Sequence, residues 1–266
     1  MDPIWLERFG GIGRLYGEDE LRSFSQAHVL VVGIGGVGSW VVEALARSGI
    51  GHITMIDLDE ICVTNINRQL HAMDGEVGKQ KTTAMRDRIL AINPKCEVTC
   101  VEGFYSEKNS SNLLHDGIDY VIDAIDVIPP KAHLLAECVK ANIPVITCGG
   151  AGGRRDPSAI RVGDLARTSG DSLLNQVRKK LRSQYGFPKG IVKGRAKKFH
   201  IEAIYSTEQP VYPTCDGGIS KQKPNKESMR LNCASGFGSI THMTATFGLF
   251  AVSRCLNNIG NFSKPV

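Results

Sequence analysis

The sequence lacks paired cysteines, although it contains eight cysteines in 266 residues. None of them forms a Cys-x-x-Cys motif, which excludes the paired-cysteine type of zinc site, and we expect no zinc. A disulfide framework is not expected either, because a chain of this length with 42% hydrophobic residues can bury an adequate core. The simplest interpretation is a cytoplasmic protein with reduced thiols.

Long apolar segments are also absent. The amino-terminal residues MDPIWLERFGG lack the charged-then-apolar pattern of a secretory signal. The least polar stretch, residues 234–253, contains His242 and several threonines and glycines, so it is more typical of a buried helix than of a membrane span. Neither export nor membrane insertion is therefore expected.

Acidic residues are missing from the strongly basic segment 178–198. Because the whole chain carries a net charge of +5, the nine cations of this segment leave the remainder at −4. Such a local excess predicts a docking surface for a polyanion, and the glycines and proline between 186 and 194 predict a mobile loop. The candidate polyanion-binding residues are Arg178, Lys179, Lys180, Arg182, Lys189, Lys193, Arg195, Lys197 and Lys198.

The sequence does contain a regular alternation of strands and helices. Apolar, β-branched segments predict buried strands at 28–33, 52–57, 97–101, 119–123 and 144–148. Helices are expected at 18–26, 37–47, 80–92 and 130–142. This alternation predicts an α/β fold, with a doubly wound, mainly parallel Rossmann-type sheet and helices on both faces.

The pattern changes after the glycine-rich run 149–153. Further elements are expected as strands at 159–163 and 199–206 and as helices at 171–185 and 236–256. We expect a nucleotide-binding core with an N-terminal arm over residues 1–153. A smaller, substrate-binding C-terminal portion over residues 154–266 is expected to form one continuous fold with that core.

A glycine motif, GIGGVG at 33–38, closes the first predicted strand. It fits the Gly-x-Gly-x-x-Gly pattern, in which backbone N–H groups at a strand-to-helix turn approach phosphate oxygens. The alternative, a glycine-rich turn without a ligand, is disfavoured by its position between strand and helix. Asp57 ends the second strand, where an acid hydrogen-bonds ribose hydroxyls in such folds, and Asp59 could face the same side.

Polar residues beyond the second strand separate ATP from NAD as the expected ligand. TNINRQ at 64–69 and GKQK at 78–81 supply amides and cations that could reach a polyphosphate. Adenylyl transfer needs such donors, because negative charge develops on the phosphate oxygens. Asp126 follows the fourth strand, at the sheet edge where ligands bind, and is a candidate Mg²⁺ ligand. An NAD-dependent dehydrogenase would share the glycine turn and Asp57 but gives no reason for these cations.

Five motifs, GIGGVGS, IDLD, TNINRQ, VGKQK and DAID, occur in order within residues 5–150. In this combination the chain resembles the ubiquitin-activating-enzyme-like adenylyltransferase family, which includes the molybdopterin and thiamine biosynthesis adenylating proteins. The absence of Cys-x-x-Cys pairs departs from its zinc-containing members. Further stretches are similar to the tRNA-modifying dehydratases of that family: RFGGIGRLYG at 8–17, CVTNINRQ at 62–69, VITCGGAGG at 145–153 and CASGFGS at 233–239.

The resemblance implies an ATP-dependent enzyme that adenylates the carboxylate of a threonylcarbamoyl-modified adenosine beside the anticodon of tRNA. Ring closure with net loss of water would follow. Arg68, Lys81 and Asp126 would be catalytic, and Asp126 would hold Mg²⁺. The candidate ATP-binding residues are those implied by the resemblance together with Asp59: Gly33, Gly35, Gly36, Asp57, Asp59, Asn65, Arg68, Gln69 and Lys81.

The resemblance also implies partners. The chain would form a homodimer whose N-terminal segment, containing Arg8 and Arg14, presents an arginine to the ATP of the partner subunit. tRNA is the expected nucleic-acid partner, and a cysteine desulfurase or sulfur-acceptor system is a further candidate. Cys233, at an expected helix start, is a candidate acceptor of an acyl group or sulfur, although most cysteines in such places only pack. Weaker candidates are Cys62, Cys148 and Cys215.

Two more alternatives are compatible with the same fold. An enzyme that adenylates the C-terminus of a ubiquitin-like or sulfur-carrier protein would use the same ATP site, but it has no need of nine clustered cations. A non-catalytic scaffold belongs to another functional class, and it would not need to keep Arg68, Lys81 and Asp126.

Overall fold

A seven-stranded sheet lies at the centre of the protein. The computed structural model describes residues 2–192, 194–214, 216–222 and 237–260. Its strands are β1 (His28–Val32), β2 (His52–Ile56), β3 (Glu97–Val101), β4 (Tyr120–Asp123), β5 (Val145–Cys148), β6 (Ile160–Asp164), β7 (Ile191–Val192), β8 (Arg195–Ala196), β9 (Glu202–Ser206), β10 (Tyr212–Pro213) and β11 (Ile219–Ser220).

The strand order of the central sheet is β3-β2-β1-β4-β5-β9-β6. Neighbouring strands are parallel except for β6 and β9, which pair antiparallel and bring the C-terminal portion into the same sheet. The winding of the chain reverses between β1 and β4. Ligands bind at such a reversal, outside the carboxyl ends of the strands.

Helices cover both faces of this sheet. They are α1 (Pro3–Tyr16), α2 (Glu18–Gln26), α3 (Gly38–Arg47), α4 (Lys81–Ile92), α5 (Ser110–Leu113), α6 (Ile128–Lys140), α7 (Ser172–Gln184) and α8 (Thr241–Ile259). Val29 and Val31 of β1 belong to the apolar cluster formed with α3, α4 and α8. Leu30 and Val32 belong to the cluster formed with α6 and α7. The predicted doubly wound, mainly parallel α/β fold is confirmed.

The first helix, α1, forms most of the N-terminal segment, for which no secondary structure was predicted. Asp2 accepts a hydrogen bond from the backbone N–H of Ile4 at 3.0 Å, and Pro3 occupies the first turn, where its missing N–H costs nothing. Trp5 and Phe9 are buried and pack against α2 in a small separate cluster. The N-terminal segment is therefore an ordered helix that lies against the core domain.

The last helix, α8, packs across α3. At the crossing, a Cβ added to Gly248 would lie 2.9 Å from the carbonyl oxygen of Val37, so only glycine permits this approach. Met243, Phe247 and Cys255 are fully buried in the main core. The helix begins at Thr241 rather than at 236. None of the described helices combines the length and the apolar character needed to cross a bilayer.

Stacked histidines at the amino ends of β1 and β2 predict acid-sensitive stability. The rings of His28 and His52 lie 3.5 Å apart at 7°, and His28 Nε2 lies 2.8 Å from Thr54 Oγ1. Burial, followed by the nearby His52, lowers the pKa of His28 to about 4. The unfolded chain has an ordinary histidine pKa of about 6.5, so it takes up a proton first as the pH falls. Stability contributed by neutral His28 is therefore complete above about pH 6.5 and is lost as the pH falls towards 4.

We expect this group to change the free energy of unfolding by up to about 3 kcal/mol across that range. Urea unfolding of the wild type and of His28→Gln, measured at pH 7.5 and at pH 5, tests this expectation. The wild type should lose more stability between the two pH values than the variant. Equal losses would show that His28 does not carry the effect.

Candidate active site

One cavity of about 890 Å³ opens at the carboxyl ends of β1, β2, β4 and β5. Its volume is in the range of ligand-binding pockets, about 300–1,000 Å³. The structure brings all of the sequence-predicted nucleotide-site residues to its wall: Gly33, Gly35, Gly36, Asp57, Asp59, Asn65, Arg68, Gln69, Lys81 and Asp126.

The glycine turn between β1 and α3 forms the floor of this cavity. Gly33 has φ +89°, and a Cβ there would lie 3.0 Å from the carbonyl oxygen of Ala124, so a larger residue would strain the turn. A Cβ at Gly38 would overlap the carbonyl oxygen of Gly33. Residue Val37 makes no side-chain cap at the start of α3. The first N–H groups of a helix lack partners within the helix, so this end of α3 favours an anion.

Asp57 holds the glycine turn against the end of β2. One carboxylate oxygen accepts a hydrogen bond from the N–H of Ile34 at 2.6 Å, and the other accepts from the N–H of Asp59 at 2.8 Å. The buried Lys81 Nζ lies 2.7 Å from Asp59 Oδ2 and 3.9 Å from Asp57 Oδ1. The positive charge of Lys81 is therefore fixed at the cavity wall and shared between two carboxylates.

Arg68 and Gln69 follow a short 3-10 turn at Val63–Asn65. Arg68 Nη1 donates to the carbonyl oxygen of Thr64 at 2.7 Å and to Asn67 Oδ1 at 3.0 Å, and it makes no ion pair with the described residues. Gln69 is buried, and its Oε1 has no hydrogen-bond partner among the residues that the structure describes. A buried acceptor without a donor costs free energy, so a donor from a ligand would stabilise this position.

Asp126 lies exposed on the loop after β4, and a buried ion pair beneath it fixes that loop. Lys131 Nζ lies 2.8 Å from Asp123 Oδ2 and donates to the carbonyl oxygen of Ile125 at 2.8 Å, and both charged side chains have 0% exposure. Asp123 also accepts from the N–H of Ile125 and from Thr147 Oγ1. The sequence analysis missed Lys131, whose only signal is a lysine in an apolar helix.

A second half of the cavity lies beyond β5 and is also absent from the predicted site. Its wall includes the glycine run 149–152, Arg154, Asp171 and Phe237. Arg154 Nη1 lies 3.2 Å from Asp171 Oδ2, which also accepts from the N–H of Gly150 at 2.9 Å. Asp171 Oδ1 caps α7 by accepting from the N–H of Leu174. The buried Arg154–Asp171 pair therefore ties the glycine run to the start of α7.

The candidate cysteines differ in their surroundings. Cys148 lies on the cavity wall but is buried, and burial raises the pKa of its thiol to about 12, which keeps it protonated at neutral pH. Cys62 is exposed on the connection after β2. Cys215 and Cys233 lie outside the described residues.

The basic segment spans two elements: the helix predicted at 171–185 is confirmed as α7, and the stretch predicted as a loop contains a short ribbon of β7 and β8. Its first four cations lie on α7, and the others lie around the two-stranded ribbon of β7 and β8, with Lys193 outside the described residues. Arg178 is half-buried and donates to Thr168 Oγ1 and Asn175 Oδ1, and the Arg182 guanidinium lies 5.0 Å from the centre of the Phe199 ring. Arg178 and Arg182 therefore make contacts within the protein in addition to their proposed role in binding a polyanion. The exposed cations are Lys179, Lys189, Arg195 and Lys197, whereas Lys180 and Lys198 are partly exposed.

The predicted partner-facing arginines both lie on α1. Neither Arg8 nor Arg14 lines the cavity of its own chain. Arg8 Nη1 donates to the carbonyl oxygen of Ile92 at the end of α4, at 3.1 Å, and Arg14 is exposed.

Comparison with known proteins identifies the family. Residues 11–265 match the ThiF family over almost the entire chain. The chain belongs to the ThiF family. Among curated ThiF-family relatives, the tRNA threonylcarbamoyladenosine dehydratase of Haemophilus influenzae is 52% identical over 253 residues, which are 95% of this chain and 93% of that protein. The enzyme of the same name from Escherichia coli is 50% identical over 260 residues, which are 97% and 96% of the two chains.

A solved ThiF-family structure has a similar fold over its whole length. The crystal structure of the Escherichia coli tRNA N6-threonylcarbamoyladenosine dehydratase in complex with ATP superimposes with a TM-score of 0.86 at 46% identity. The match covers 98% of this chain and 97% of that one. The match therefore extends far beyond the glycine turn.

Proposed function

We propose that this ThiF-family protein uses ATP to dehydrate the threonylcarbamoyl side chain of a modified adenosine next to the anticodon of tRNA. The observation that carries the proposal is one continuous cavity, which unites the glycine turn with Arg68, Lys81 and Asp126 and extends to the glycine run 149–152. Adenylation of a carboxylate needs both substrates in one such space. The two curated dehydratases align over nearly the whole chain, which supports the same substrate here.

ATP fits the half of the cavity that lies over β1 and β2. Asp57 ends β2, the position from which an acid meets a ribose, and the exposed Phe104 follows β3 and offers a flat apolar face to adenine. A hydroxyl or amino group of the nucleotide can satisfy Gln69 Oε1. Because the glycine turn follows β1, the triphosphate then extends from β2 towards Asp126 beyond β4. The ATP complex of the solved relative supports this occupant.

The first step joins the substrate carboxylate to ATP. A carboxylate oxygen attacks the α-phosphorus, the bond to the bridging oxygen of the β-phosphate breaks, and pyrophosphate leaves. Arg68 neutralises charge that develops on the phosphate oxygens, for which its guanidinium is suited because no carboxylate of the described residues pairs with it. Lys81, which also lines the cavity, assists with part of its charge balanced by Asp59.

Asp126 fits the role of a magnesium ligand. Its carboxylate makes no hydrogen bond or ion pair with the described part of the chain, and carboxylate oxygens are preferred ligands of Mg²⁺. Mg²⁺ held by Asp126 would supply positive charge that neutralises the phosphate oxygens. The contribution of the chain is to hold Asp126 in place through the buried Asp123–Lys131 pair.

The second step needs no nucleophile from the enzyme. A nucleophile within the same side chain attacks the acyl adenylate, a five-membered ring closes, and AMP leaves with the former carboxylate oxygen. The net result is loss of one water, driven by ATP cleavage. Attack within one molecule is fast because the reacting atoms are already close. Because no enzyme nucleophile is needed, the buried, protonated Cys148 only forms part of the cavity wall.

The cations of α7 and the β7–β8 ribbon are the proposed contact for the tRNA backbone. Ser172 lines the cavity at the start of α7. A helix rises about 1.5 Å per residue, so Arg178 and Arg182 lie about 9 Å and 15 Å further along its axis. The phosphates that flank a nucleotide in the cavity can thus meet positive charge outside it.

Replacing exposed cations of the ribbon should weaken tRNA binding in a salt-dependent way. We expect Lys189→Ala/Lys197→Ala to reduce affinity and to lower the slope of log affinity against log salt by up to about 2, because each lost phosphate contact removes roughly one counterion. Filter binding of tRNA at salt concentrations from about 50 to about 300 mM measures the slope. Lys108→Ala/Lys140→Ala is the matched control, since both lysines are exposed and lie outside the basic segment. An unchanged slope in the first variant would contradict the assignment.

We also propose a homodimer in which α1 brings Arg14 towards the ATP site of the partner subunit. The exposure of Arg14 supports this role, whereas Arg8 is held by the end of α4. A sulfur-acceptor function of Cys233 stays a hypothesis about residues outside the described part of the chain.

The decisive experiment measures tRNA-dependent AMP formation. The protein is incubated with Mg²⁺, ATP and tRNA carrying the threonylcarbamoyl modification, and AMP and the nucleosides of the digested tRNA are quantified. We expect one AMP per cyclised nucleoside and none with unmodified tRNA. Absence of AMP with the modified tRNA would refute the proposal, and AMP formation with a carrier protein alone would favour the protein-adenylating alternative.

A further inference from the structure

Two exposed aromatic rings line opposite ends of the cavity. Phe104 is 64% exposed and follows β3, and Phe237 is 44% exposed and precedes α8. Large apolar side chains are usually covered in a folded protein, so a ring that remains exposed on a cavity wall is available to a ligand.

Phe237 is held in its position by close contacts with the glycine run after β5. A Cβ on Gly152 would lie 2.8 Å from Phe237 Cβ, and a Cβ on Gly153 would lie 2.6 Å from Phe237 Cδ1. The N–H of Gly153 donates to the carbonyl oxygen of Gly238 at 2.7 Å, and the N–H of Val211 donates to that of Gly153 at 2.8 Å. Only glycine allows the ring to approach the backbone this closely, so the glycine run provides the surface on which the Phe237 ring packs.

A second ring completes a small aromatic platform. The ring centroids of Tyr212 and Phe237 lie 5.0 Å apart with an interplanar angle of 41°. The platform is tied to the phosphate side of the cavity as well, because Asn67 Nδ2 donates to the carbonyl oxygen of Ser239 at 2.8 Å. The hydrogen bond from the Asn67 side chain to the backbone of Ser239 thereby fixes the position of the platform relative to Arg68.

The sheet order separates the two rings. β3 and β2 lie on one side of the glycine turn of β1, whereas β4 and β5 lie on the other. With ATP oriented as proposed, Phe104 lies on the nucleoside side. The platform of Phe237 and Tyr212 then lies beyond the phosphates, on the side from which a carboxylate must approach the α-phosphorus.

We propose that Phe237, supported by Tyr212, stacks on the adenine of the substrate nucleotide in tRNA and sets the position of its side-chain carboxylate. This inference rests on the proposed function and adds the recognition of the base. Bases of single-stranded RNA loops are commonly unstacked and laid on aromatic side chains, and such stacking depends little on base identity. A stacked adenine at this end directs its side chain towards the centre of the cavity, where Arg68 and Asp126 lie.

The test compares Phe237→Leu, Phe237→Tyr and Phe104→Leu in the full-length protein. We expect Phe237→Leu to raise KM and Kd for the modified tRNA about 10-fold or more, because stacking contributes about 1–3 kcal/mol per base. Phe237→Tyr keeps a stacking face and should stay within about threefold of the wild type. Phe104→Leu should instead raise KM for ATP, so the two leucine variants act as controls for each other.

Affinity for the modified tRNA is also measured directly, with a non-hydrolysable ATP analogue present, so that the result does not depend on turnover. Unchanged tRNA affinity and KM in Phe237→Leu would overturn the inference, and so would an equal rise in KM for ATP. If the wild type binds modified tRNA but forms no AMP, the proposed function fails, while the Kd of Phe237→Leu still decides the stacking. Melting temperatures of all variants check that the fold is kept.

Discussion

Replacing Arg68 with glutamine should lower kcat for tRNA-dependent AMP formation about 100- to 1,000-fold, the usual cost of removing one donor that stabilises transition-state charge. The melting temperature should change little, because within the described part of the chain the guanidinium donates only to the carbonyl oxygen of Thr64 and to the side chain of Asn67. Since the lost interaction strengthens as charge develops, KM for ATP should rise much less than kcat falls.

Arg161→Gln is the matched control for this variant. Arg161 is exposed on β6 and also donates to backbone carbonyl oxygens, those of Ser158 and Ile160, but it does not line the cavity. We expect its kcat to equal that of the wild type. Arg68→Lys should retain part of the activity, because an ammonium keeps the charge but loses the planar fork. A kcat for Arg68→Gln within threefold of the wild type would refute the role assigned to Arg68.

The residues that line the ATP half of the cavity could be predicted, because the ends of strands can be recognised in the sequence. GIGGVG, Asp57 and Asp126 each follow an apolar, β-branched segment, and parallel strands bring such ends to one edge of the sheet. The convergence of these residues needed only the fold class, which the alternating pattern supplied. Their roles in catalysis stay predictions, which the variants described here test.

The other half of the cavity could not be predicted, because its contacts join residues through tertiary packing. Arg154 pairs with Asp171 across the glycine run, and Phe237 is placed by Gly152 and Gly153. No periodicity marks such pairs. The run GGAGG was visible as a motif, but glycines alone do not show which side chain will occupy the space that they leave.

Two local features of the fold were only partly visible in the sequence. Helix α1 contains glycines at 10, 11 and 13, which lower helix propensity and hide a helix that packing against α2 stabilises. The glycines of the basic segment lie after residue 185, and Leu174, Val177 and Leu181 before them form the buried stripe of the helix expected at 171–185. The short β7–β8 ribbon that follows was expected as a loop. Asp and Pro at positions 2 and 3 were the overlooked start signal of α1.

A second large effect is expected for the buried pair beneath Asp126. We expect Lys131→Met to lower the free energy of unfolding by about 3–5 kcal/mol, because it leaves the carboxylate of Asp123 buried without its counter-ion. Urea unfolding monitored by circular dichroism measures the change. Lys140→Met is the matched control on the same helix, and we expect a change within about 0.5 kcal/mol, since Lys140 is 76% exposed.

Lys131 should also affect catalysis, because its ammonium donates to the carbonyl oxygen of Ile125, the residue before Asp126. Adding Asp123→Asn to Lys131→Met should restore part of the stability, since the buried charge is removed while an amide oxygen can still accept from the N–H of Ile125. The double variant should nevertheless remain poorly active, because the carbonyl of Ile125 has lost its donor and the Asp126 loop is less firmly held. A single Lys131→Met variant that loses less than about 1 kcal/mol would mean that water or another group compensates Asp123, and the pair would then not be the support of the Asp126 loop.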